Sequence, residues 1–202
     1  MNLETYNAFP TLIIRAPKFL SKEHCDLIFN YVQNKSLEPY GAFVGEAKSD
    51  FSLDNDILSQ LVKSIPELKD LVKNLTDVIE EYKIKHNLTA VRITNSWTNT
   101  QQEGSVLIDH THAKSIIAGA LYINVDENST QLVLKNPNPY IKYTVFGNNP
   151  SEYAYEWTTF SPEIGDLILF PGWIEHGSNH QVNRTKDRMV LSFNTEYSGD
   201  IL

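Results

Sequence analysis

Apolar residues recur at helical spacing in the first part of the chain, then change to a two-residue period from about Leu88 onward. Thr11-Leu12-Ile13-Ile14 reads as an early strand closed by Pro17. Ser21 is placed to cap a helix from Lys22 to Gln33, where Cys25, Ile28, Phe29 and Val32 share a face. Asp54 is expected to cap a short helix through Ile57, Leu61 and Ile65. Pro66 then stands where a first-turn proline belongs, opening a longer helix to about Lys85. Leu68, Leu71, Val72, Leu75, Val78, Ile79 and Tyr82 form its stripe, which is expected to pack against a core.

The second part reads as strands: Val91 to Thr94, Val106 to Ile108, Ala118 to Val125, Gln131 to Leu134, Tyr143 to Phe146, Glu156 to Phe160, Asp166 to Phe170 and Arg188 to Asn194. Turn-forming stretches separate them, among them Asn136-Pro137-Asn138-Pro139 and Gly147-Asn148-Asn149-Pro150. Strands this short at this spacing predict an antiparallel sandwich or jelly roll. One domain over 1–202 is expected, with a helical, mixed part at 1–88 and a β part at 89–202.

Composition narrows the partners more than the fold. A net charge of -8 without any dense Lys/Arg run gives no reason to expect nucleic acid. The longest apolar stretch, Ile116 to Val125, is too short to span a bilayer, so no membrane association is expected. Cys25 is the only cysteine, which rules out an intrachain disulfide and a cysteine zinc site. Met1-Asn2-Leu3-Glu4-Thr5 lacks a basic-then-apolar leader pattern, and a cytoplasmic setting is expected.

Three of the six histidines carry the candidate chemistry. His110-Thr111-His112 follows the run Ser105 to Ile108, and residues two apart on an extended chain face the same way. His176 comes much later, after Asp166 to Phe170 and the turn Pro171-Gly172. A close pair plus a distant third ligand can hold one face of a metal and leave the other open. The plain alternative is that these are exposed or loop histidines with no ligand. Asp109 is a rival for the third ligand, although its side chain should point to the opposite face. His180, four residues past His176, is a rival for the distal one. Trp97 and Trp173 read as core aromatics before pocket walls.

The last strand adds a second element. Met189, Leu191 and Phe193 share one face, and Arg188, Val190, Ser192 and Asn194 share the other. An Arg and a Ser on one face downstream of a candidate ligand make a carboxylate clamp, because the guanidinium fork matches a carboxylate in two bonds. A solvated outer face is the competing explanation.

Taken in order, four motifs resemble the 2-oxoglutarate/Fe(II) oxygenase superfamily over about residues 95–195. They are His110-x-His112, Ser115-Ile-Ile-Ala-Gly-Ala-Leu-Tyr-Ile-Asn124, Gly165-Asp-Leu-Ile-Leu-Phe-Pro-Gly-Trp-Ile-Glu-His176 and Asp187-Arg-Met-Val-Leu-Ser-Phe-Asn194. Asn95-Ser96-Trp97-Thr98-Asn99 is similar to a small bacterial and phage branch that also carries His-x-His. The resemblance implies a double-stranded β-helix with the N-terminal helices packed outside. It implies Fe(II) on His110, His112 and His176, and 2-oxoglutarate held by Arg188 with Tyr122 and Ser192. The implied reaction hydroxylates or demethylates a small-molecule or peptide substrate and releases succinate and CO2. His112 departs from the carboxylate that most of the superfamily has at that place, so His112, Asp109 or no third protein ligand all remain open. A three-histidine, cupin-like dioxygenase without a 2-oxo acid and a non-catalytic jelly-roll module are the rival functions. Against the cupin reading, Lys114 to Ala120 contains no Glu.

Overall fold

The computed structural model describes residues 3–4, 9–143 and 154–199. Its helices are α1 (Lys22–Gln33), α2 (Ile57–Ser64) and α3 (Leu71–His86). Its strands are β1 (Ile14–Ala16), β2 (Glu38–Pro39), β3 (Phe43–Val44), β4 (Ala47–Ser49), β5 (Val91–Gln101), β6 (Val106–Leu107), β7 (Ile117–Asn124), β8 (Leu132–Lys135), β9 (Trp157–Phe160), β10 (Leu167–Pro171), β11 (His176–Gly177) and β12 (Arg188–Tyr197). The expected strand over Tyr143 to Phe146 falls mostly outside the described residues, as does the turn Gly147 to Pro150. Tyr143 itself ends a 3-10 turn, Ile141–Tyr143.

The strands form a double-stranded β-helix. A seven-stranded sheet runs β1-β10-β7-β12-β5-β4-β2, and a three-stranded sheet runs β11-β8-β9. Every strand pair is antiparallel, as short connections between neighbours require.

Alternation on the large sheet divides the core in two. Leu121 and Ile123 of β7, Leu167 and Leu169 of β10, and Met189, Leu191 and Phe193 of β12 face outward. There they meet Cys25, Ile28 and Val32 of α1, Leu58 and Leu61 of α2, and Leu71, Leu75 and Ile79 of α3. The opposite side chains, Ala118, Ala120 and Tyr122 of β7, Ile168 and Phe170 of β10 and Val190 of β12, meet Leu132 and Leu134 of β8 between the sheets. One glycine marks the tightness of the outer layer. A Cβ at Gly119 would land 2.1 Å from the Phe193 ring.

Ser21 caps α1 as expected, accepting from the His24 amide at 3.2 Å. Two helix starts differ from the sequence reading. Asp56, not Asp54, caps α2, accepting from Ser59 N at 3.0 Å. Pro66 opens only a 3-10 turn, Pro66–Leu68, and α3 starts at Leu71. Val72 lies on the exposed edge of α3 and Val78 is half-buried. No described helix is long and apolar enough to cross a membrane.

Candidate metal centre

His176 lies on β11, at the end of the three-stranded sheet. It forms an antiparallel bridge with His110, each amide donating to the other's carbonyl at 2.9 Å. His112 lies two residues on in the same extended segment, its amide bound to Gly172 O at 2.8 Å. This backbone pairing brings ligand atoms of all three imidazoles within 4.8 Å of one another.

The ring nitrogens are already sorted for metal binding. His110 Nδ1 donates to Ile108 O at 2.8 Å and His176 Nδ1 to Ile174 O at 3.0 Å. A carbonyl only accepts, so in both rings the proton is on Nδ1 and the Nε2 lone pair is free. The Nε2 atoms of His112 and His176 face each other at 3.2 Å. Nitrogen ligands about 2.0–2.1 Å from one ion lie roughly 3 Å apart, so this pair already has the spacing of two ligands on one cation. Burial, then the nearby His110, lowers His112 to about 4. Burial, then His110 and His112, lowers His176 to about 3. At neutral pH these two rings are uncharged, which is the ligand form. The donor set therefore fits a divalent first-row ion.

Asp109 takes no part in this cluster. Its Oδ2 pairs with Lys135 Nζ at 2.9 Å, on the face away from the histidines. His180 is exposed and outside the cluster. Lys135 also pairs with Glu175 at 3.0 Å, so this outer ion-pair group braces both histidine segments.

A cavity of about 250 Å³ opens beside the histidines, and its inner wall is β5 and β12. Register sets Arg188 opposite Gln101, Val190 opposite Asn99 and Ser192 opposite Trp97. Arg188 is only 6% exposed. Its Nη1 donates to Gln101 Oε1 and its Nη2 to Thr130 O at 3.2 Å, while its Nε–H finds no acceptor. The guanidinium carbon stands 5.6 Å from the centre of the Tyr122 ring. Burial lowers the Arg188 pKa, and Tyr122 partly offsets this. Burial pushes the Tyr122 phenol up to about 12, so it stays a neutral donor. No carboxylate among the described residues pairs with Arg188. A buried, uncompensated guanidinium is costly, and an anionic ligand relieves that cost.

Of the expected residues, His110, His112, His176, Arg188, Tyr122 and Ser192 all line this one cavity. Gln101, Thr130, Asn99 and Asn194, which also line it, were not singled out by sequence. Trp97 is buried and forms part of the wall, so it serves both uses considered for it. Trp173 is 53% exposed and is not a core residue. A larger hollow, about 610 Å³ against β8 and β9, contains no histidine or carboxylate among its described residues and offers only Lys135 as a charge.

The family model described as "Putative 2OG-Fe(II) oxygenase" matches residues 95–194, the span from β5 through the histidines to Asn194 of β12. The chain belongs to the 2-oxoglutarate/Fe(II) oxygenase family. It is thus an oxidoreductase of the non-haem iron class, and the family's cofactors are Fe(II) and 2-oxoglutarate. Among solved structures it is similar in fold to HygX from Streptomyces hygroscopicus, determined with nickel and 2-oxoglutarate bound. That likeness has a TM-score of 0.64 at 11% identity over 93% of this chain and 84% of that one. A 2OG-Fe(II) oxygenase-family oxidoreductase from Burkholderia pseudomallei gives 0.60 at 11% identity, covering 92% and 85%. A prolyl-4-hydroxylase from Pseudomonas putida gives 0.57 at 11% identity, covering 94% of each chain. No curated protein matches the sequence.

Proposed function

We propose that this oxygenase holds Fe(II) on His110, His112 and His176 and receives 2-oxoglutarate with its far carboxylate on Arg188. The reaction is hydroxylation or oxidative demethylation of a small molecule or a peptide side chain. The observation that carries this reading is the buried guanidinium with no carboxylate partner among the described residues, in the same cavity as the three imidazoles. When bound, Fe(II) and 2-oxoglutarate supply oxidation by O2, with the 2-oxo acid leaving as succinate and CO2 and one oxygen entering the substrate.

The chain's own part is to bind, orient and exclude water. Arg188 Nε and Nη atoms offer a fork to one carboxylate, the protonated Tyr122 phenol adds a donor, and Ser192 lies along the same strand face. Phe170 and Leu132 close the cavity wall against solvent. A third imidazole in place of a carboxylate makes the empty site one unit more positive, which favours an anionic chelator. A cytoplasmic setting suits this reading, since a reducing compartment keeps iron ferrous and Cys25 as a thiol.

The test is an anaerobic titration of 2-oxoglutarate into the Fe(II)-loaded protein, followed by succinate release on adding O2. A charge-assisted contact contributes about 1.5–3 kcal/mol, so Arg188→Met should weaken 2-oxoglutarate by about 10- to 150-fold. Iron affinity should be unchanged, because Arg188 is not a ligand. If the wild type binds no 2-oxoglutarate, or the variant binds it equally well, the proposal is wrong.

A further inference from the structure

The mouth of the cavity has a composition that the cosubstrate does not explain. Its outer wall is a run of rings that leads inward from the surface. Tyr40 and Phe51 stand 5.3 Å apart, Phe51 meets Trp97 edge-on at 5.0 Å, and Trp97 lies 5.8 Å from the His112 ring. Phe51 is partly exposed, Tyr40 is half-buried and Trp97 is 3% exposed. Apart from the histidines, Arg188 is the only charged side chain among the described residues lining this cavity. There is no Asp, Glu or Lys among the described residues of the wall.

Two polar groups near the rings also lack partners. Trp97 Nε1, a pure donor, is buried and unbonded, and so is Asn99 Oδ1. Both residues line the same cavity. Buried polar groups left unpaired are costly, and a bound ligand or an ordered water relieves that cost.

Resting on the function proposed above, we infer that the primary substrate is uncharged near its reacting carbon. It presents a flat apolar face to Tyr40, Phe51 and Trp97, and a carbonyl or amide oxygen to Trp97 Nε1. The charges around the cavity disfavour both a cationic and an anionic substrate group. A substrate ammonium would find no carboxylate here and would be buried beside Arg188 and the metal, an uncompensated placement. A second carboxylate or a phosphate would compete with 2-oxoglutarate for Arg188. An aromatic cage for a methylated ammonium sets rings on several sides of the cation, whereas these rings follow one another in a single row. Size points the same way. A cavity of about 250 Å³ is below the roughly 300–1,000 Å³ that encloses a drug-sized ligand. With the cosubstrate inside, only one small group of the substrate reaches past the rings, and the rest lies on them.

The test uses the full chain loaded with Zn(II) and 2-oxoglutarate, which cannot turn over, and reads binding by saturation-transfer NMR. The probes are benzamide, benzoate and benzyltrimethylammonium, which share a ring and differ in charge. Benzamide should bind about 10-fold or more tightly than either charged probe. Phe51→Ala, at a partly exposed position, should weaken it by about 3- to 10-fold through lost ring contact. Trp97→Phe keeps a ring but removes the donor, and should cost about 2- to 13-fold. Equal or tighter binding of a charged probe overturns the inference, as does unchanged benzamide affinity in both variants. A parallel 2-oxoglutarate titration separates the two claims. If 2-oxoglutarate binds and the probe selectivity is absent, only the substrate inference falls. If 2-oxoglutarate does not bind, the functional reading falls and takes the inference with it.

Discussion

His110 and His176 are cross-strand partners, each amide donating to the other's carbonyl at 2.9 Å, with ring centres 4.4 Å apart. A hydrogen-bonded antiparallel pair sends both side chains to one face, so the backbone itself sets two imidazoles side by side. His110→Ala or His176→Ala should therefore remove one of the paired ligands without disturbing the ladder. Loss of a partner that merely orients a ligand weakens metal binding by 10- to 100-fold, so loss of a ligand should cost roughly 100-fold or more. His112→Asp should retain metal, because it swaps one donor for another at a site with an open face. Equilibrium dialysis with Ni(II), beside near-ultraviolet circular dichroism, reads both metal and fold. Full metal retention in both alanine variants would contradict the assignment.

Gly177 sits beside that pair, and its lack of a side chain matters. A Cβ there would lie 2.2 Å from Asp109 Oδ1 and 2.9 Å from Asp109 Cα. The carboxylate is held by Lys135 at 2.9 Å, and the backbone atom cannot turn away. Gly177→Ala should push Asp109 aside and carry His110 with it. A destabilisation of about 1–3 kcal/mol is expected, as for other overpacked sites. A drop in Ni(II) affinity should accompany it. Unaltered affinity in a stable variant would mean that the two segments separate without moving the histidines.

Asp166 anchors the far end of β10. Buried itself, it accepts from Arg15 Nη2 at 2.6 Å, Lys18 N at 2.9 Å and Glu163 N at 3.0 Å. Burial alone would raise its pKa, but the two backbone donors and Arg15 outweigh it and the net shift is downward. A carboxyl whose folded pKa is depressed contributes stability above its unfolded value, about 3.9, and loses it as pH falls through the folded pKa. Chemical denaturation between pH 7 and pH 2 should show a steep acid loss in wild type. Asp166→Asn should be less stable at pH 7, by about 2–4 kcal/mol, and show a shallower acid limb. Parallel pH profiles for the two proteins would show that the carboxylate contributes nothing.

Much of this architecture was legible in the sequence where a two-residue period coincided with burial. The faces of β12 divide as the alternation predicts, because helices cover one side and the cavity lies on the other. The His110/His112 pair and the face of Arg188 follow from the same alternation, whereas Tyr122 is pointed to only by the resemblance. β5 was read only as far as Thr94, although it runs to Gln101. Its polar run Asn95 to Gln101 faces the cavity on one side and hydrogen-bonds through Ser96 to Asp56 and Leu58 N on the other, so no hydrophobic period appears. The cap of α2 was misread for a related reason. Asp54 and Asp56 are equivalent as letters, and the bond from Ser96 Oγ to Asp56 at 3.1 Å distinguishes them. Strands β2, β3 and β4, of two or three residues, exist only through pairing, β3 and β4 with distant strands and β2 with β4, and carry no periodic signal of their own.

Arg188 gives a prediction that needs no turnover. In the free protein its buried charge is balanced by no carboxylate among the described residues, and its Nε–H is unbonded. Replacing an uncompensated buried charge by an apolar side chain of similar length is often neutral or stabilising. Arg188→Met should therefore melt at or above the wild-type temperature when no cosubstrate is present. Adding 2-oxoglutarate reverses the order. A ligand at 100 times its Kd stabilises the folded state by about 2.7 kcal/mol. For a chain of this size that is a rise of roughly 5–10 °C in Tm. Wild type loaded with Zn(II) should show this rise, and Arg188→Met at the same 2-oxoglutarate concentration should show little of it. Thermal melts of both proteins, with and without 2-oxoglutarate, give the four values needed. A variant that melts far below wild type without ligand would mean that Gln101 and Thr130 already balance the charge, and that Arg188 serves the fold.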